Sequence, residues 1–223
     1  MAAAIAALVL PARASTGTIL PLLICGDVIG VTVYRRAANW RLIGRLMPWV
    51  LVGIGLGVAF LSLVRGNEAV RTSIGLLILL ILATHLAVGA WLRERLAAPT
   101  VRRTTPAQHL AAGLAGTVVG FATMVANSAG AAMTVYLLLS GVAMMEFLGT
   151  GAWFFFLVNL IKLPFSLRLG LVDAGSLHLD LLLLPGLAAG AALGVLLIRR
   201  IRQSHFERAA LGMAAVSAVF LLV

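Results

Sequence analysis

One stretch constrains this chain more than any other. From Thr104 to Met145 there is no Asp, Glu, Lys or Arg. A bilayer is crossed by about 20 apolar helical residues, so the run is fit for lipid. Yet its centre, FATMVANSAGAAMTVYLLL at 121–139, holds Asn127, Ser128 and Gly130. Such residues are poor choices inside an apolar helix, because they compete for or loosen its backbone. Non-helical backbone at membrane depth survives only where protein or a wet cavity covers it. The break therefore predicts that something other than lipid faces residues 127–130.

Composition fixes the class. Of 223 residues 62% are hydrophobic and 11% charged, where a soluble domain carries about a quarter charged. The chain cannot coat a water-facing surface, and the reading is an all-α integral membrane protein, a polytopic helical bundle. The formal charge of +10 does not point to nucleic acid. The arginines stand in short clusters between apolar runs, as in membrane loops. Cys25 is the one cysteine, so no internal disulfide forms. The four histidines are scattered, which predicts no metal site. No phosphate-binding loop and no nucleophile–base pattern occurs, so neither a cofactor, nor catalysis, nor ATP-driven transport by this chain alone is expected. Met1–Leu10 is apolar but lacks a basic start and is too short to span.

Charges punctuate the remaining spans. Only Asp27 is charged between Arg13 and Arg35, and only Lys162 between Glu146 and Arg168. Uncharged runs cover Leu46–Val64, Thr72–Leu92, Leu181–Ile198 and Ala209–Val223. The chain also repeats itself in order. Gly17-Thr18 matches Gly149-Thr150, and at the same offset Asp27 matches Asn159. Further on, Pro48, Gly53 and Gly57 match Pro185, Gly190 and Gly194, with the prolines placed like helix starts. Arg65 and Arg71 match Arg202 and Arg208.

Loop charge orients the copies. The loop at 34–46 has Arg35, Arg36, Arg41 and Arg45, while its counterpart at 168–180 has Arg168 with Asp173 and Asp180. In the next loop the bias reverses: Arg65 and Arg71 face Arg199, Arg200, Arg202 and Arg208. Basic loops stay cytoplasmic, so the two halves are expected to be inverted-topology repeats. The first covers 1–92, a basic cytoplasmic linker 93–106, and the second 107–223. The run at 107–140 must then enter and return, as a re-entrant pair of half-helices or two short spans turning at Asn127–Gly130.

These residues resemble a known family. LPARASTGTILPLLICGDVIGVTVYRRAANWRLIGRLMPWVLVGIGLG is similar to the first repeat of the sulfite exporter TauE/SafE-like permeases. GFATMVANSAGAAMTVYLLLSGVAMMEFLGTGAWFFFLVNLIKLPF is similar to the core of their second repeat. The resemblance implies a secondary transporter of small anions, such as sulfite or organosulfonates, in the bacterial cell membrane. Members open on a glycine-rich segment equivalent to 113–132, so the first repeat here is expected to be incomplete at its N-terminus.

An anion in a membrane needs donors and positive potential. Helix N-termini supply both, and a half-helix starting near Gly130 would aim one at the break. Asn127, Ser128, Ala129 and Gly130 form the candidate substrate site, with Gly149 and Thr150 as a second helix start. Asn159 and Lys162 share a helix face three residues apart. Each has a structural reading too: a self-satisfied turn for 127–130, and snorkelling for Lys162. Asp27, costly in a span unless paired, either carries a coupled proton, pairs with Lys162, or pairs with Arg35 or Arg36. His85 is a packing residue or a proton relay. The expected partners are the bilayer and a small anion, with a homo-oligomer left open. A non-transporting truncated homologue or accessory membrane subunit is the rival reading.

Overall fold

The computed structural model describes residues 17–64, 106–127, 129–198, 200–201, 205–206 and 209. Ser128, His85, the span at 72–92, most of the linker and the span at 210–223 lie outside the described residues. Among the described residues the elements are helices, without a strand. They are α1 (Leu20–Tyr34), a 3₁₀ turn (Arg35–Ala37), α2 (Trp40–Leu63), α3 (Pro106–Ala126), α4 (Gly130–Leu139), α5 (Met144–Arg168) and α6 (Ala174–Ile198). Helices α2, α5 and α6 are each long and apolar enough to cross a membrane. The protein is an all-α membrane protein, as a chain that must satisfy its backbone inside lipid has to be.

The helix ends follow local chemistry. Pro21 lies in the first turn of α1, where a missing N–H costs least. Asn39 caps α2, its Oδ1 accepting from the Arg41 and Leu42 amides at 3.1 and 3.3 Å. Asp173 and Ser176 hold the start of α6 reciprocally: Asp173 Oδ1 accepts from the Ser176 amide at 2.7 Å, and Ser176 Oγ accepts from the Asp173 amide at 2.9 Å. Gly141 and Gly170 take positive φ, 67° and 66°, just past α4 and α5, the left-handed conformation that stops a helix.

These boundaries correct three expectations. Pro48 and Pro185 do not start helices; they lie inside α2 and α6. Asn39 and the Asp173–Ser176 pair cap each helix further upstream, and membrane helices tolerate an internal proline. The basic loop expected at 34–46 is shorter, since Arg41 and Arg45 lie within α2. Asp180 leaves the expected loop at 168–180 for the interior of α6, where it is buried.

Helices α2 and α3 run side by side in the same direction and touch through glycines. A Cβ on Gly53 would collide with the Thr117 carbonyl oxygen, and one on Gly120 with that of Val50. One on Gly57 would fall 2.7 Å from Met124 Cβ, and one on Gly116 2.8 Å from Trp49 Cβ. Lipid gives no hydrophobic drive between helices, so association depends on this close packing.

Helices α1 and α5 run in opposite directions. A Cβ on Gly17, just before α1, would strike Leu171, just after α5. Midway, Asn159 bonds Asp27. At the other end Thr150 Oγ1 accepts from the Asn39 amide at 2.9 Å, and a Cβ on Gly149 would fall 2.7 Å from the Ala37 carbonyl carbon.

The opening stretch is a hairpin. The end of α3 meets α5 at Lys162, whereas Leu137 of α4 lies against Gly151, three turns back along α5 toward the start of α2. The chain thus enters as α3, which ends at Ala126, and returns as α4 from Gly130. A helix interrupted near 127–130 is what the sequence led one to expect. Behind it, Val50, Leu61, Met124, Met133, Leu137 and Phe154 form one buried apolar cluster.

Candidate functional site

Lys162 lies two turns before the end of α5 and is 0% exposed. It therefore does not snorkel to an interface. Its ammonium donates to Asn127 Oδ1, to Thr123 Oγ1 at 3.3 Å and to Asn159 Oδ1 at 3.4 Å. Three N–H donors meet three neutral oxygens. Two of those contacts are long, near the limit of a useful hydrogen bond. Asn159 in turn donates through Nδ2 to Asp27 Oδ2 at 2.7 Å. The result is a chain of polar groups, Asp27–Asn159–Lys162–Asn127, that joins α1, α5 and the tip of the α3–α4 hairpin.

Each member is placed by local structure. Asn159 and Lys162 stand three residues apart on one helix face. Thr123 and Asn127 are four apart at the end of α3, also one face. Asn127 adopts φ 49°, a left-handed conformation that asparagine tolerates better than most residues. It ends α3 there, and its amide turns onto the lysine. Asp27 sits at the middle of α1 and takes its hydrogen bond from Asn159, while Arg35 and Arg36 are exposed on the turn beyond.

The remaining candidates stand apart from this chain in different ways. Ala129 is buried behind the tip. Gly130 starts α4 and is exposed; a Cβ there would meet nothing within 4 Å, so the tip is not sealed by packing. Gly149 and Thr150 do not open α5, which begins at Met144. An acidic residue, Glu146, occupies its first turn, as the helix dipole favours. The pair lies about 14 Å along the axis from Asn159, at 1.5 Å per residue. Thr150 is spent on the Asn39 amide, and Asn39 Nδ2 donates to Glu146 Oε1. That cluster ties the turn after α1 to the start of α5.

Two further groups escaped the sequence reading. Thr123 joins the lysine; its only signal was a hydroxyl one turn before Asn127 in an apolar helix. Asp180 was counted as loop charge, yet its carboxylate is buried against the Leu22 backbone of α1, and Ser166 Oγ is buried without a hydrogen-bond partner among the described residues. No group of metal-binding side chains occurs among the described residues.

A buried ammonium among neutral oxygens, at the tip of a broken membrane helix, suits a negatively charged solute. Against known protein families, residues 1–221 match the model of the one described as Sulfite exporter TauE/SafE. The chain belongs to the sulfite exporter TauE/SafE family. TauE/SafE proteins are membrane transporters rather than enzymes, so this chain is a membrane protein of transport. No curated protein and no solved structure matches it. In this TauE/SafE protein the polar chain just described is, among the described residues, where the bundle departs most from an apolar interior.

Proposed function

We propose that this protein is a secondary transporter that carries a small anion past Lys162 by alternating access, in a bacterial cell membrane. One observation carries the reading: the Lys162 ammonium is wholly buried, yet its hydrogen bonds go to neutral oxygens. A charge buried at that depth is expensive and marks a functional site by default. An oxyanion replacing the long contacts to Thr123 and Asn159 would neutralise it. Sulfite and organosulfonates are the substrates favoured, because they are compact oxyanions of the kind the family description names.

Inverted repeats supply the moving parts. Sequence equivalence pairs Asp27 with Asn159, and these two residues touch each other midway along antiparallel helices. Equivalent residues that meet lie on a two-fold axis. The ends support the same symmetry. Gly149 packs on the turn after α1, and Gly17 packs on the turn after α5. An axis in the membrane plane, with the substrate site beside it, is the arrangement of many secondary transporters. Protonation of Asp27 would supply coupling.

Flux into proteoliposomes with a panel of anions tests this. Sulfite or a sulfonate should be transported, and Lys162→Met should lower flux about a hundredfold, the worth of a strong charged hydrogen bond at ~3 kcal/mol. The variant should still insert, with a lowered melting temperature because the Asn127, Thr123 and Asn159 oxygens lose their donor. Undiminished flux in Lys162→Met would remove the site.

A further inference from the structure

The amide of Asn159 is used on both sides. Its Oδ1 accepts from Lys162 Nζ at 3.4 Å, and its Nδ2 donates to Asp27 Oδ2 at 2.7 Å. Asp27 thus meets Lys162 through one side chain. An ionised carboxylate offers acceptors alone, which fixes the amide with its N–H toward Asp27 and its oxygen toward the lysine. A protonated carboxyl carries an O–H donor instead. The amide can then turn over, accept that O–H on Oδ1 and present Nδ2 to the space beside Lys162.

We propose that Asn159 is the coupling element of the transporter: a positioning residue whose amide turns with the protonation of Asp27 and so sets anion affinity at Lys162. The inference rests on the anion-transport reading above and adds the coupling to it. With Asp27 ionised, the lysine has a nearby counter-charge and an amide oxygen facing it, both of which compete with an incoming anion. With a proton on the carboxyl, the counter-charge is gone and the anion gains an N–H donor. Linkage makes the effect mutual, so a bound anion also favours the proton. One proton then enters with each anion and leaves with it from the same oxygen; no other bond is made or broken.

The charged neighbours are few. From α5, Lys162 faces Asp27 through Asn159. On α6, which also packs on α1, and just before its start, the titratable groups are Asp173, His178 and Asp180. Asp173 and His178 are exposed. The buried Asp180 lies by the first turn of α1 at Leu22, more than a turn from Asp27. Cys25 and Tyr34 complete the titratable groups of α1 itself. Around Lys162, α3 contributes Thr123 and Asn127, which do not titrate. Tyr136 of α4, Arg41 and Arg45 of α2, and the exposed Arg35 and Arg36 of the 3₁₀ turn are the titratable or charged groups of the other elements packed on α5, which itself carries Glu146 and Arg168 at its ends.

The test is KM against pH for uptake of a sulfonate, an anion that takes up no proton of its own over the pH range, in proteoliposomes holding the full chain. In the wild type KM should fall about tenfold as pH is lowered through the titration of Asp27. Asp27→Asn, which imitates the protonated acid, should hold KM low at every pH. Asn159→Leu, which keeps the volume but has no amide, should hold KM high at every pH. A pH-independent wild-type KM overturns the proposal, and so does a wild-type slope that persists in either variant. A merely structural Asn159 would lower kcat and leave that slope intact. Should Asn159→Leu not fold, the Asp27→Asn profile decides alone: low and flat upholds the coupling, sloping ends it. Absence of anion flux in the wild type is a separate result, and it removes the transport reading itself.

Discussion

Two seams run through this bundle, and they are built from opposite materials. Between α2 and α3 the contact is made of glycines, with backbone against backbone and no room for a Cβ at Gly53 or Gly120. Between the α3–α4 tip, α5 and α1 the contact is made of long polar side chains, with an ammonium at its centre. The first seam gains its stability from dispersion and close approach, and nothing in it can exchange with a solute. The second holds its groups by hydrogen bonds that an anion or a proton can replace. Rigidity and chemistry are separated in space: α3 belongs to both, clamped along its length by α2 and left polar at its end.

The comparison can be broken first at the glycines. Gly120→Leu should have the largest effect, because four carbons must enter a space already filled by the Val50 backbone. Overpacking of that kind costs about 3 kcal/mol or more. The expected outcome is loss of the monodisperse protein in detergent, read by size exclusion and thermal unfolding; normal melting would mean the seam is looser than described.

A smaller effect is expected at the polar seam. Asn127→Gly keeps the left-handed backbone at φ 49°, which glycine adopts freely, and removes the acceptor from Lys162. Anion flux should fall about tenfold, the worth of ~1.4 kcal/mol, with little change in melting temperature. Asn127→Leu adds backbone strain to the same loss and should abolish flux while still inserting. Equal flux in wild type and Asn127→Gly would show that the amide is only a turn residue.

The smallest effect sharpens the contrast. Gly130→Ala places a methyl group where nothing lies within 4 Å. Its stability should stay within about 0.5 kcal/mol of wild type, measured by the same melting experiment. A loss as large as that of Gly120→Leu would mean the hairpin tip is as tightly packed as the α2–α3 contact.

Much of this was legible beforehand, and the gaps have physical causes. The break at 127–130 could be read because an uncharged run has no other reason to contain Asn-Ser-Ala-Gly. Lys162 and Asp27 stood out because a charge in an apolar span is costly wherever it sits. Gly149-Thr150 misled, because a Gly-Thr pair reads equally well as a helix start or as a small, polar packing surface. The cap came six residues before Gly149, where Ala143 is extended. Pro48 and Pro185 misled for a related reason: proline marks helix starts in water, whereas neighbouring helices make good its lost bond in a membrane. Asp180 was hidden by its nearness to loop residues in sequence.

By itself the sequence determined the class of protein, the position of the break and that Asp27 and Lys162 are charges set within apolar spans. Those follow from solvation, which acts on each residue according to its own chemistry. What only the tertiary structure decided is which of them meet. Asp27 and Lys162 are far apart in the chain, and either could have paired with an arginine or reached an interface. The antiparallel packing of α1 on α5 set Asn159 between them, and the return of the chain at Asn127 closed the fourth side. Contacts of that kind depend on helix direction and register, which no local preference encodes.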